Sequence, residues 1–170
     1  MRPRTRLLAA LGLLSALAMG AGCSIDEPVG PSSPLPWHLR VRRSEVALLP
    51  CDSLPYARKT ATIGPGGGTI KFGLQQLVVP AGALSQKVEI TAEQVADAVV
   101  SVRFGPEGLR FAKPVALTLS YGRCLPIAGP KGVVYTDDQL DVLELIPSQD
   151  QPGGQVTGWI DHFSRYAVAF

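Results

Sequence analysis

In the stretch Asp161-His162-Phe163-Ser164-Arg165, a histidine stands two residues before a serine. That pairing can do nucleophilic chemistry. The imidazole of His162 would take the hydroxyl proton, and the Ser164 oxygen would attack the protein's own backbone just before it. The plainer use of the same residues is to close a sandwich, with Phe163 and Tyr166 in the core. His162 and Ser164 then serve backbone groups at a strand edge.

Such chemistry needs a rigid frame, and the residues that follow supply one. Ser164, Tyr166, Val168 and Phe170 alternate with Arg165, Ala167 and Ala169, the period-two pattern of a strand. From Cys51 onward the chain is a series of short apolar runs divided by Gly and Pro turns, with no amphipathic helix pattern. Strands are expected over 59–63, 68–72, 76–79, 87–93, 99–104, 115–121, 132–136, 140–146, 155–160 and 164–170. Val115, Leu117, Leu119 and Tyr121 alternate with Ala116, Thr118 and Ser120, and Val88 and Ile90 alternate with charged or polar neighbours. Repeated short strands between turn signals predict an all-β fold, a single β-sandwich of mostly antiparallel strands. Residues 81–84, after Pro80, are expected to make one short helical turn, and 125–132 and 147–154 to be loops. Tyr121, Tyr135 and Trp159 fall in strands, where core packing is the default.

Other chemistry-bearing residues have structural uses. The run Gly64-Pro65-Gly66-Gly67-Gly68 lacks the Lys-Ser/Thr and following helix of a phosphate loop, so it predicts a tight turn between strands. Asp137, Asp138 and Asp141 do not follow the alternating-oxygen spacing of a calcium loop and predict a polar turn. The carboxylates of Glu89, Glu93, Glu107 and Glu144 are scattered. No CxxC or clustered His/Cys spacing points to zinc. Neither a metal nor a cofactor is expected.

The N-terminus predicts export. Arg2, Arg4 and Arg6 precede an apolar run from Leu7 to Met19, then Gly20-Ala21-Gly22-Cys23. Residues 1–22 read as a signal peptide, too short and wrongly flanked to span a membrane. The small residues before Cys23 resemble a bacterial lipoprotein signal, which implies lipidation of Cys23 and a membrane anchor. Gly20 stands where such signals usually carry Leu, so ordinary cleavage near Ala18 or Ala21, giving a secreted or periplasmic protein, is the other outcome. Ser24 after the cysteine, with no Asp, points to the outer membrane in a Gram-negative cell. Of 16 basic side chains the signal removes three and no acid, leaving 13 against 14 acidic ones. A chain this close to neutral is no nucleic-acid binder. Residues 23–50 form a Pro-rich tether, with Pro28, Pro31, Pro34 and Pro36 close together. Its end, 37–49, is apolar enough for either a strand or a docking segment. The folded domain is expected over 51–170. Cys51 and Cys124 remain as a pair in an oxidising compartment, where a disulfide is favoured over two free thiols.

Three segments together resemble the ZU-five domain, the β-sandwich module shared by zona occludens proteins, uncoordinated-five netrin receptors and ankyrins. They are Ile63-Gly64-Pro65-Gly66-Gly67-Gly68-Thr69-Ile70, Leu77-Val78-Val79-Pro80-Ala81-Gly82-Ala83-Leu84, and the run from Val102 to Tyr121 that contains Gly108-Leu109-Arg110-Phe111-Ala112-Lys113-Pro114-Val115. The resemblance covers most of 60–170 and implies a module for protein contact. In self-cleaving relatives a His-Phe-Ser stands at this place. Carried over, Ser164 is the nucleophile, His162 the base, and Phe163–Ser164 the bond cut through an ester that water hydrolyses. Together with the signal, Cys23 and the tether, the resemblance implies a non-enzymatic module for protein-protein interaction, with an unidentified protein partner, or for a structural role at the cell envelope. The alternatives are a single-turnover self-cleaving domain and a carbohydrate-binding sandwich.

Overall fold

The computed structural model describes residues 46–170. The expected signal, Cys23 and the tether up to residue 45 lie outside the described residues. Eleven strands follow in order: β1 (Ala57–Ile63), β2 (Gly68–Phe72), β3 (Gln75–Val79), β4 (Val88–Gln94), β5 (Ser101–Gly105), β6 (Arg110–Ser120), β7 (Gly132–Thr136), β8 (Val142–Ile146), β9 (Ser148–Gln151), β10 (Gln155–His162) and β11 (Arg165–Ala169). Among the described residues there is no helix. Two antiparallel sheets form, one of six strands in the order β1-β4-β5-β11-β7-β8 and one of five in the order β2-β3-β6-β10-β9. The protein is an all-β sandwich.

The alternation along each strand sends one face inward. Ile70, Leu77, Val115, Leu117, Leu119, Val156 and Ile160 of the five-stranded sheet meet Ile90, Val102, Phe104, Val133, Tyr166 and Val168 of the six-stranded sheet in one core. Gly158 allows the sheets to approach. A Cβ there would lie 2.8 Å from Cβ of Val133, closer than two carbons can pack. The glycine run is the turn that carries the chain from β1 in one sheet to β2 in the other. Gly67 has φ 73°, and a Cβ on it would meet the Val79 carbonyl oxygen at 2.4 Å. Only glycine fits that position.

Two local expectations are corrected. Residues 81–84 make a β-turn and not a helical turn. Gly82 adopts φ 77°, and the Ala83 N–H bonds to the Pro80 carbonyl. A residue in the left-handed region cannot continue a right-handed helix. The loop expected over 147–154 contains β9, which pairs with β10 from Gln155↔Gln151 to Gly158↔Ser148. Its Ser-Gln-Asp-Gln sequence has no apolar alternation, because an edge strand of this kind is held by its neighbour's backbone.

The strand pairing also reaches back before Cys51, the expected start of the domain. Leu48 bridges Ala169, the Leu49 N–H bonds to the Val168 carbonyl at 2.9 Å, and Leu49 is fully buried. Residues 47–49 thus run beside the end of β11 where β5 has stopped. Cys51 and Cys124 are joined in a disulfide across a sequence separation of 73. In the chain-entropy account, closing a loop of that length stabilises the fold by about 4 kcal/mol at most. The doubly substituted Cys51→Ser/Cys124→Ser protein is expected to lose up to that amount in urea unfolding, with no change in the slope beyond that due to a less constrained unfolded chain. A loss below about 1 kcal/mol would show that the cross-link does not constrain the unfolded state.

Candidate functional site

The His-Phe-Ser stretch is the corner at which the chain leaves the five-stranded sheet and joins the six-stranded one. β10 ends at His162 after a bulge between Ile160 and His162, and β11 begins at Arg165. Phe163 drives the corner inward. Its ring is fully buried, stacked on Phe104 at 4.8 Å and meeting Phe111 edge-on at 4.9 Å. The backbone is clamped on both sides of the Phe163–Ser164 peptide. The Phe163 N–H bonds to the Leu109 carbonyl at 2.8 Å, the Phe163 carbonyl accepts from the Gly108 N–H at 2.9 Å, and the Ser164 carbonyl accepts from the Phe104 N–H at 3.1 Å.

The two expected catalytic residues face different neighbours. His162 Nδ1 lies 2.8 Å from Asp161 Oδ1, and its ring meets Tyr135 edge-on at 5.1 Å. The hydrogen bond to His162 holds the Asp161 carboxyl below its ordinary range. The Tyr166 hydroxyl donates to the His162 carbonyl at 2.7 Å, and burial pushes that phenol above its ordinary range. Ser164 instead lines a cleft of about 360 Å³ with Arg103, Thr136, Asp138 and Arg165. Among the described residues, no hydrogen bond joins the Ser164 hydroxyl to the His162 ring. The arrangement offers one backbone donor at the Phe163 carbonyl and a carboxylate-oriented histidine beside it.

Sequence reasoning missed a buried ion cluster beside Ser164. Arg165 is 7% exposed, and its guanidinium bonds to Asp97 Oδ2 at 2.5 Å, to the Asp138 carbonyl at 2.7 Å and to Ser101 Oγ at 3.3 Å. Ser101 also donates to Asp97, and Arg103 pairs with Asp138 at 2.7 Å. Arg165 and Thr136 are directly paired across β11 and β7. The Nε of Arg165 and the hydroxyl of Thr136 are both buried without a partner. Asp137 serves the β7–β8 turn, accepting from the N–H groups of Gln139 and Asp141 at 2.9 Å each. The only advance signal for Arg165 was a charge in an otherwise apolar strand.

The outer faces of the two sheets differ. On the six-stranded sheet, Arg58, Glu93 and Arg103 lie on the β1-β4-β5 half. Beyond the Arg165–Thr136 pair, the β11-β7-β8 half is apolar, with Val134, Ala167 and Ala169 buried together and Val46, Leu48 and Val142 packed on them. Leu145, the ladder partner of Val134, and nearby Leu143 are 60% and 55% exposed on the edge strand β8. On the five-stranded sheet, a polar row crosses the strands in register, and Trp159 is 42% exposed, contrary to the expected core position. The reason is parity. Val156 and Ile160 take the inward positions of β10, so Trp159 points outward. Tyr121 and Tyr135 do pack against the core. The Tyr121 hydroxyl donates to Asp150 at 2.5 Å, and burial together with that carboxylate pushes the phenol up to about 12.

No protein-family model matches this chain, and no curated protein matches it. The fold and its surfaces define a β-sandwich with a clamped corner, a buried arginine cluster and two dissimilar outer faces.

The arginine cluster makes opposite predictions for two neighbouring residues. Arg165→Met strands the Asp97 carboxylate and is expected to cost about 3 kcal/mol in chemical unfolding. Thr136→Val removes an unpartnered hydroxyl at nearly constant shape and is expected to gain about 1 kcal/mol. A destabilised Thr136→Val protein would mean that the hydroxyl has a partner in solution.

Proposed function

We propose that this chain is an exported, lipid-anchored, non-enzymatic β-sandwich module that binds a protein partner at the cell envelope. The signal-like N-terminus, Cys23 and the ZU-five resemblance support export and an adaptor role. The single structural observation that carries the reading is the edge strand β8. An unprotected edge offers backbone groups to an incoming strand, and proteins usually blunt such edges with charge, proline or short length. The other three edges are blunted in this way. β1 carries Arg58 and Lys59, β2 carries Lys71, and β9 is four polar residues. β8 reads Val-Leu-Glu-Leu-Ile and also carries a charge, Glu144, but it is the edge on which two leucines are exposed. Covering each leucine would contribute about 2 kcal/mol to a complex. An added strand could pair with β8 while laying apolar side chains against the exposed Leu143 and Leu145.

The test is site-specific photo-crosslinking in cells, with a photoreactive residue at position 145. A discrete adduct is expected, lost in a Leu143→Asp background and in cells where Cys23→Ser releases the protein from the membrane. Leu143→Asp itself should shift stability by no more than about 0.5 kcal/mol, because the side chain is exposed. A crosslinking pattern identical at position 145 and at a control position on β1 would overturn the reading.

A second reading is favoured by the hydrogen bond from the Gly108 N–H to the Phe163 carbonyl. In self-cleavage, that donor would stabilise negative charge on the oxygen as the Ser164 hydroxyl adds to the carbonyl carbon. His162 would take the hydroxyl proton and return it to the departing Ser164 nitrogen. The resulting Phe163 ester takes up water, which regenerates the hydroxyl and leaves a Phe163 carboxylate. Intact-mass measurement after prolonged incubation decides it. Self-cleavage requires a species ending at Phe163 that disappears in Ser164→Ala. A single uncut mass sinks it.

A further inference from the structure

The outer face of the five-stranded sheet takes no part in the interaction proposed at β8. Lys71 is paired with Gln76, Gln76 with Thr118, Thr118 with Thr157, and Thr157 with Gln149. These residues form one polar row across all five strands, with neighbours about 4.8 Å apart. Gln155 and Gln151 are paired beside the row on one side. On the other side lies a second row, Thr69, Val78, Ala116 and Trp159. A groove of about 370 Å³ runs over the polar row, lined by Lys71, Gln76, Thr118, Gln151, Gln155 and Thr157.

The chemistry of this face is selective. Each glutamine amide presents two donors and an acceptor, and each hydroxyl presents one donor and two acceptor sites. The threonine hydroxyls are already ordered. Thr118 Oγ1 and Thr157 Oγ1 lie 2.9 Å apart, and Gln151 Nε2 donates to Thr157 at 3.4 Å. Groups held in place before binding lose less freedom on binding. The groove lining contains one cation, Lys71, and no carboxylate. A phosphate-rich or nucleic-acid partner requires clustered cations. A protein partner requires an apolar centre with aromatic anchors, and here Trp159 stands apart with Val78 and Ala116. An uncharged chain of vicinal hydroxyls matches what is present. Its hydroxyls would meet the amide and threonine row, and its C–H faces would lie on the exposed indole. Two residues along β10 separate Thr157 from Trp159, about 7 Å, so a single chain lying across the strands can reach both.

We infer that the outer face of the five-stranded sheet binds an uncharged polysaccharide, hydrogen-bonded by Gln76, Thr118, Gln151 and Gln155 and stacked on Trp159. This site is separate from β8 and stands or falls independently of the partner proposed there.

The test is affinity gel electrophoresis of the full chain in gels containing a soluble β-1,4-glucan, β-1,3-glucan, mannan or dextran, with polygalacturonate as the acidic comparison. At least one uncharged polymer is expected to retard the protein. Trp159→Ala and Gln76→Ala should each raise the apparent dissociation constant about tenfold or more, with circular dichroism and thermal midpoint unchanged. Both side chains point outward, so neither variant should fail to fold. Leu145→Asp should bind as the unsubstituted protein does, which distinguishes failure here from failure of the β8 reading. Three results overturn the inference: no retardation by any uncharged polymer, retardation by polygalacturonate alone, or retardation that survives both substitutions.

Discussion

The fold depends on β11 being hydrogen-bonded along both of its edges. On one side it pairs with β5 from Arg165↔Arg103 to Ala167↔Ser101, and on the other with β7 from Arg165↔Thr136 to Ala169↔Gly132. In the six-stranded sheet, β1, β4 and β5 stand on one side of it and β7 and β8 on the other. Among the described residues the two groups meet only through this strand. All five of its residues are buried, on both faces. Tyr166 and Val168 fill the central core, whereas Ala167 and Ala169 pack outward against Val134. Alanine is small enough to let a second layer close over the strand, and residues 46–48 contribute to that layer. Most of the sheet's order therefore waits on pairings distant in sequence, a topology that folds slowly for its size.

This placement governs what His162-Phe163-Ser164 can mean. The corner joins the strand that completes one sheet to β10, an interior strand of the other, and Phe163 anchors it under Phe104 and Phe111. A Phe163–Ser164 peptide held by Leu109, Gly108 and Phe104 cannot swing freely, so any distortion imposed on it is maintained by the whole sandwich. The same rigidity would hide the consequence of a cut. The residues after Ser164 are held by two ladders of backbone bonds, and breaking one covalent link leaves those ladders intact. Cleavage would then alter the chain's connectivity without removing a strand.

Strand positions were legible because alternation is a direct record of which face is buried. β2 and β7 match their expected limits of 68–72 and 132–136, and β6 differs by starting at Arg110 in place of Val115. Pro114 lies beyond the register β6 shares with β3, so it interrupts no bond there. The disulfide was legible from the cysteine count and the expected compartment. What alternation does not encode is neighbour order. Nothing in 164–170 says that the strand is interior to its sheet, although two alanines and an arginine on its second face are the trace of that second burial. β9 was missed because an edge strand with no apolar face leaves only a turn signal, here Gly153 and Gly154 with positive φ. Trp159 was misplaced because an aromatic residue in a strand defaults to the core unless its parity is compared with Val156 and Ile160.

The two outer faces are tied together by the tightest point of the core. Gly158 is flanked on β10 by Thr157 and Trp159, which face outward, while its own Cα faces Val133 on β7. Val133 is in turn followed by Val134, whose ladder partner is Leu145. A shift of β10 toward β7 would bring backbone against a valine side chain, and a shift away would open a void between close-packed layers. The sandwich therefore behaves here as a rigid spacer, not as a relay between alternative states. Ligands on its two faces would be held about two side-chain layers and a core apart, roughly 20 Å by the usual 10 Å sheet spacing. Such a spacer adds no coupling energy of its own. Were the two proposed ligands part of one assembly, the fixed distance would set the effective concentration of the second attachment once the first had formed, a gain lost when either face is blocked.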